Sequence, residues 1–276
     1  MGCLITRTCE EQRQQQKRCA STQTSKATYP DACLSPKHQG HCCWPWHLQG
    51  GPSSGANCCC DALSLFLGRC RCSGIQRKMP KVLELFSGTG SIGRAFAALG
   101  WEVISVDLDP RSNATYCCDV STWDHTAVGD VDVIWASPPC TFYSRARSRG
   151  PRSDLGTSDD LVRRTLDIVA ALGNPPTFLE NPFSGQLKNR GIINLPMEVV
   201  DSCQYGMPYR KRTAVWTNTA WEPARPLCKL DCDASDGKKH LATAQRGSPG
   251  PCFTQQELYR IPAELCEEIA HFCNGL

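Results

Sequence analysis

No stretch of the 276 residues approaches the roughly 18 consecutive apolar residues that a membrane-spanning helix needs. A secretory leader is not evident either, since the apolar stretch Ala62 to Gly68 is too short and lies too far into the chain. A disulfide framework is also missing, although the chain holds 20 cysteines. Nine of them follow Pro80, scattered through α/β-type sequence rather than spaced as a scaffold, several where a small buried apolar residue would serve. These absences point to an intracellular, reducing compartment (nucleus, organelle, or viral or bacterial cytoplasm) and to no membrane span.

The first 79 residues lack apolar periodicity and are rich in Gln, Ser, Gly and Pro. They carry ten Lys/Arg against four Asp/Glu, and the remainder carries 20 against 23. Residues 1–79 are therefore read as a basic, Cys-rich and disordered extension, and the folded unit is expected to begin near Met79. Three readings of the extension stay open. Met1-Gly2-Cys3-Leu4-Ile5-Thr6 fits a myristoylation pattern. A basic, acid-poor leader fits an organellar transit peptide. His41, Cys42, Cys43 and His47, with Cys58 to Cys60, Cys70 and Cys72, offer zinc ligands, but without the usual Cys-x2–4-Cys spacing.

Beyond Met79 the pattern changes. Lys81-Val82-Leu83-Glu84-Leu85-Phe86 reads as a short apolar strand, and Ser87-Gly88-Thr89-Gly90-Ser91-Ile92-Gly93 turns into a helix, Arg94 to Leu99, that Gly100 stops. A second strand, Trp101 to Val106, ends at Asp107. Strand, glycine loop, helix, strand and acid make a right-handed βαβ unit for an adenosine-type ligand. The glycines let the backbone approach the ligand, and the carboxylate can accept both ribose hydroxyls. Gly88, Gly90 and Gly93 also satisfy G-x-G-x-x-G, so NAD has to be weighed here.

A second apolar run, Val131 to Ser137, leads into Pro138-Pro139-Cys140-Thr141-Phe142-Tyr143-Ser144. Two prolines stiffen the chain where a thiol is to be aimed at a substrate. The plainer reading is a strand-ending turn with an incidental cysteine. Arg145, Arg147, Arg149 and Arg152 follow on a glycine-containing loop suited to phosphate contacts, or simply to solvent. Asp159 to Leu172 is amphipathic, with Leu161, Val162, Leu166, Val169, Ala170 and Leu172 expected to face the sheet.

Taken in order, these motifs resemble those of the C5-cytosine DNA methyltransferases, over roughly residues 80 to 220. Glu84-x-Phe86-Ser87-Gly88-x-Gly90 resembles motif I of class I S-adenosylmethionine (SAM) methyltransferases, which favours SAM over NAD. The resemblance implies a doubly wound, mostly parallel α/β sheet of Rossmann-like type with a short C-terminal appendage. It implies that Phe86 lies against adenine, that Asp107 binds ribose and Asp119 the adenine amino group, and that Ser87, Gly88, Gly90 and Pro138 complete the cofactor site. Pro138 to Ser144 is similar to the family's P-P-C-Q-x-F-S, with Thr141 for Gln and Tyr143 for Phe, which makes Cys140 the nucleophile. Phe178-Leu179-Glu180-Asn181-Pro182 resembles the E-N-V motif and implies Glu180 as the acid at cytosine N3. Tyr205 to Arg212 resembles Y-G-x-P-Q-x-R-x-R, one residue shorter and without the Gln. From it Arg210 and Arg212 are expected to hold the base and the nucleophile loop.

The chemistry needs such residues. C5 of cytosine is a poor nucleophile until a thiolate adds at C6, and charge pushed onto N3 then needs an acid. A base inside a duplex must be flipped out or offered single-stranded. Methylation of RNA or of a nucleotide, and a non-catalytic nucleic-acid binder on the same fold, are the rival readings.

The resemblance thins after Ala220, where about 55 residues replace the usual recognition domain. The chain is closer in length to the compact enzymes of phages and some microbial eukaryotes. Residues 221–276 are read as a small segment for substrate recognition, aided by a partner protein, in a monomeric enzyme. Gln255 to Phe272 reads as helical, begun or kinked by Pro262. Cys228, Cys232 and His240, with Cys203 or Cys252 as a fourth, could hold zinc, but at loose spacing, and no metal residue is assigned.

Overall fold

The computed structural model describes residues 78–144, 155–244, 251 and 253–276. The readings made for residues 1–77, the arginine loop 145–152, residues 245–247 and Cys252 lie outside the described residues.

In chain order the elements are β1 (Lys81–Leu85), α1 (Ser91–Ala98), β2 (Glu102–Asp107), β3 (Tyr116–Cys117), β4 (Val133–Ala136), α2 (Leu155–Ala171), β5 (Thr177–Pro182), β6 (Met197–Asp201), β7 (Arg212–Thr217), α3 (Gln255–Tyr259) and α4 (Ala263–Asn274). The strands form one sheet in the order β3-β2-β1-β4-β5-β7-β6. Pairings from β3 through β5 are parallel, while β7 runs antiparallel to both β5 and β6. This is the doubly wound, mostly parallel α/β sheet expected from the sequence. Its order reverses between β1 and β4, so a crevice opens beyond their carboxyl ends, where such folds bind ligands.

Strand side chains alternate between the faces, which splits the core in two. Leu83, Leu85, Ile134, Ala136 and Leu179 join Val162, Ile168 and Val169 of α2 on one face. Val82, Val133, Trp135, Phe178 and Val215 meet Ile92 and Phe96 of α1 and Leu265 and Ile269 of α4 on the other. Helix α2 begins at Leu155, and its buried positions include Val162, Thr165, Ile168 and Val169. Ala170, expected on the buried stripe, is exposed.

The tail forms two helices, with Pro262 as the N-cap residue of α4. Pro262 has no N–H to give a helix interior, so it marks the break. Thr254 and Glu257 make a reciprocal capping box for α3. Trp101 Nε1 donates to Asn274 Oδ1 at 3.1 Å, tying the last turn of α4 to the chain after α1. The end of the chain is thus part of the core that the sheet builds, and the described residues from Met79 onward belong to one compact unit. No helix of the described residues is long and apolar enough to cross a membrane.

Candidate active site

Phe86 leaves β1 with φ of 58°, followed by Gly88 at 48° and Gly90 at 63°. A bulky aromatic residue in the left-handed region is strained, and such strain gathers where a site dictates the backbone. The turn delivers the chain to α1, whose N-cap is Gly90. Gly93 has a different task. A Cβ there would lie 2.7 Å from Glu84 Oε2 and 2.9 Å from Val103 Cγ1, so only glycine lets α1 sit this close to β1 and β2. Gly93 N–H donates to Glu84 Oε2 at 3.1 Å. Burial outweighs that contact and pushes the Glu84 carboxyl up to about 7.

Asp107, the last residue of β2, accepts from Gly88 N–H at 2.7 Å through Oδ2 and from Asp109 N–H at 2.7 Å through Oδ1. It therefore ties the glycine turn to the loop after β2. Arg111 pairs with Asp109 and holds that exposed carboxyl down at about 2.

The second part of the site comes from the ends of β4 and β5 and the start of β7. Cys140 lies on the turn after β4, where Tyr143 N–H donates to Cys140 O at 3.1 Å. The Tyr143 ring is fully buried and its hydroxyl donates to Asp159 Oδ1 at 2.9 Å. Arg190 grips the same carboxylate, through Nε at 3.0 Å among its contacts. The hydroxyl gained at position 143 is therefore used, anchoring the nucleophile turn to α2. Asn181 Nδ2 donates to Pro138 O at 2.9 Å and fixes the turn from β5.

Lys211 completes the group. Its Nζ lies 3.7 Å from Glu180 Oε1. Burial pushes the Cys140 thiol above its ordinary range, the Lys211 charge pulls it back, and the Glu180 charge adds to the rise. Burial thus favours the thiol form of Cys140, and the cation that opposes it lines the same cavity.

One cavity of about 310 Å³ joins both parts. Its walls include Phe86, Ser87, Gly88, Asp107 and Pro138 on the nucleotide side, and Cys140, Glu180 and Lys211 on the other. The volume suits a small-molecule site. Ser87 Oγ is buried on this wall with no hydrogen-bond partner among the described residues, as a group awaiting a ligand would be. Glu84, Asp107 and Asp109 give the cavity acidic walls fit for a cationic ligand with ribose hydroxyls. The residues present therefore fit SAM.

Four residues named from the sequence are not brought into the cavity lining, and one of them, Gly90, instead serves as the N-cap of α1. Asp119 is exposed and accepts from Ser121 N–H at 2.8 Å. Arg210 is exposed, and its backbone bridges to Thr243. Arg212 makes a two-pronged pair with buried Asp201, its cross-strand neighbour on β6, at 2.9 and 2.7 Å. The cause is parity. Side chains alternate on β7, and Val215 lies opposite Glu180 on β5. Lys211 and Thr213 share the face of Val215, whereas Arg210 and Arg212 share the other. In a motif one residue shorter, the cation facing Glu180 is Lys211. Alternation counted back from Val215 was the signal in the sequence that could have found it. Sequence reasoning also missed Leu108, Tyr259 and Ile261 on the cavity wall. The last two come from the chain's end and carried no local sign of this role.

A sheet of this order, with a glycine turn, a carboxylate at the end of β2 and a cysteine after β4 on one cavity, defines a Rossmann-like methyltransferase. No protein-family model matches the chain. The "Probable DNA (cytosine-5)-methyltransferase" of Frog virus 3 (isolate Goorha) is 34% identical over 217 residues, covering 70% of this chain and 100% of that protein. The type II methyltransferase M.AplI of Arthrospira platensis is 24% identical over 163 residues, covering 51% of this chain and 46% of its own length. Among solved structures, S. pombe Dnmt2 methyltransferase matches with a TM-score of 0.39 at 18% identity, covering 52% of this chain and 53% of its own. Entamoeba histolytica methyltransferase EhMeth matches with a TM-score of 0.42 at 15% identity, covering 55% and 57%. The chain belongs to the DNA (cytosine-5)-methyltransferase family.

Proposed function

We propose that this protein methylates C5 of cytosine in DNA with SAM as donor, using Cys140 as nucleophile. The observation that carries the reading is the shared cavity, in which Cys140, Glu180 and Lys211 face the wall formed by Phe86, Ser87 and Asp107. The relative from Frog virus 3, matched over its full length, supports DNA as the substrate.

When bound, SAM supplies an electrophilic methyl group. Phe86, Ser87, Gly88 and Asp107 would hold it, with Asp107 free to accept ribose hydroxyls through lone pairs its two backbone contacts leave available. A flipped cytosine then enters beside Cys140. The Cys140 thiol releases its proton to solvent, a step that Lys211 favours by its charge. The thiolate adds to C6, a carbon–sulfur bond forms, and the ring electrons pass toward N3. Glu180 takes up a proton from solvent and gives it to N3 or shares it there, which stabilises the adduct. C5 now has the enamine character that methylation requires. Once C5 carries the methyl group, its proton passes to solvent, the C5–H electron pair re-forms the C5–C6 double bond, the carbon–sulfur bond breaks and the Cys140 thiolate is restored. Lys211 also keeps Glu180 anchored before the base arrives.

The test is product analysis. The full chain is incubated with unmethylated duplex DNA and SAM, and the digested nucleosides are quantified by mass spectrometry, with Cys140→Ser and an RNA substrate alongside. The expected result is 5-methylcytosine in DNA from the wild type only. Methylated cytosine in RNA but not DNA, or product from Cys140→Ser, overturns the reading.

A further inference from the structure

Away from the cavity, four side chains that the proposed chemistry does not use converge at one point. Cys203 lies on the short turn after β6, Cys228 and Cys232 on the loop after β7, and His240 eight residues later. Their ligand atoms all lie within 4.8 Å of one another. His240 Nε2 is 3.5 Å from Cys203 Sγ, 3.4 Å from Cys228 Sγ and 3.5 Å from Cys232 Sγ. Cys228 Sγ and Cys232 Sγ are 3.6 Å apart.

We infer that Cys203, Cys228, Cys232 and His240 form a structural zinc site that fastens the segment after β7 to the turn after β6. The distances carry the argument. Zinc bonds of about 2.3 Å to sulfur and 2.0–2.1 Å to nitrogen, set tetrahedrally, separate two sulfurs by about 3.8 Å and sulfur from nitrogen by about 3.5 Å. The edges given above match this tetrahedron. A disulfide needs sulfurs about 2.05 Å apart, and all three cysteines are free. Three thiols and an imidazole without a cation have little reason to aim their ligand atoms at a common centre.

The surroundings suit a closed, four-ligand site. Cys203 and Cys228 are buried, and Cys232 and His240 half-buried. Leu230 N–H donates to Cys228 Sγ at 3.3 Å, a contact that stabilises a sulfur bearing negative charge. Leu230 takes φ of 70° to let the loop turn back on that sulfur. Cys228 N–H donates to Asp201 Oδ2 at 3.0 Å, so the carboxylate that holds Arg212 also holds the first ligand of the loop. Gln204 Nε2 donates to Asp231 Oδ1 at 2.9 Å and joins the same two segments again. Three thiolates and one imidazole favour zinc over the oxygen-seeking cations. Four protein ligands leave no open position, so the role is structural rather than catalytic. Loops with little regular structure need such a clip, and residues 218–251 hold no helix or strand among the described residues.

The test begins with the wild-type full chain, purified with zinc present. Alkylation of each cysteine is followed by peptide mass spectrometry, with and without a strong chelator. Cys203, Cys228 and Cys232 should be protected together and become reactive together on chelation. Metal analysis should then find one fewer zinc per chain in Cys228→Ser/Cys232→Ser than in the wild type, whatever the upstream cysteines bind. Cobalt(II) loading should give visible bands of a tetrahedral thiolate site that are lost in His240→Ala. Equal alkylation with and without chelator would overturn the site, as would a Cys228–Cys232 disulfide in protein isolated under reducing conditions. The wild-type footprint stands even if the variants misfold, and it does not depend on the methyl-transfer reading.

Discussion

Lys211 Nζ stands 3.7 Å from Glu180 Oε1, and both line the cavity that contains Cys140. One lysine therefore serves two groups, pairing with the carboxylate and lowering the cost of ionising the thiol. Replacing it with Gln should leave Cys140 more strongly protonated. Each unit of added pKa costs roughly tenfold in thiolate at neutral pH, so adduct formation should fall roughly 10- to 100-fold. The loss should shrink as pH rises, because hydroxide replaces what the charge supplied. Lys211→Arg should keep most of the rate. Trapping with a 5-fluorocytosine duplex from pH 6 to 9 measures this directly, and a loss independent of pH would point to base positioning instead.

Arg212 should behave in the opposite way. Its partner Asp201 is buried, and Arg212→Ala leaves that carboxylate without its cation. Stranding a buried charge costs several kcal/mol, reduced here because the guanidinium is partly exposed, so a loss of about 2–3 kcal/mol is expected. Adduct formation by the folded fraction should change little. Urea unfolding and 5-fluorocytosine trapping on the same sample separate the two effects.

The contrast between these neighbours shows what could be read from the chain and what could not. The β1–turn–α1–β2 unit was legible because local signals agree: a short apolar run, glycines at the turn, and an acid where the next strand ends. Cys140 and Glu180 were picked out by their likeness to the family's motifs, and the fold brings both to the cavity, Cys140 from the turn after β4 and Glu180 from within β5. The β7 cations were not legible, because side chains alternate with period two and a one-residue shortening exchanges every face. Tyr259 and Ile261 reach the cavity only through contacts across the folded chain. Nothing in the local sequence announces such contacts.

Tyr143 offers a milder test. Its hydroxyl donates to Asp159, which Arg190 also satisfies. Tyr143→Phe removes one buried hydrogen bond to a charged group but leaves the carboxylate paired. A cost of about 1–2 kcal/mol is expected, with adduct formation largely retained. Chemical denaturation alongside trapping would check both. A collapse of trapping at full stability would instead place the hydroxyl in the chemistry.

Glu84 links the cavity to pH. Its carboxyl titrates at about 7 in the folded protein against an ordinary 4.5, chiefly because it is buried. Between those values the native state holds a proton that the unfolded chain releases, so this group lowers stability as pH rises. The penalty is absent below the unfolded value and complete above the folded one, and the shift corresponds to roughly 3 kcal/mol. Glu84→Gln should flatten the stability profile between pH 4.5 and 7 relative to the wild type. Ligand binding should show the reverse dependence. A sulfonium cation in a cavity lined by Glu84 favours the ionised carboxylate, so SAM should bind more tightly as pH rises from 5 to 7 and should release a proton on binding. Calorimetry in two buffers of different ionisation enthalpy measures that proton. If Glu84→Gln releases it equally, the proton comes from another group, and the acidic wall of the cavity does not respond to the cofactor's charge through Glu84.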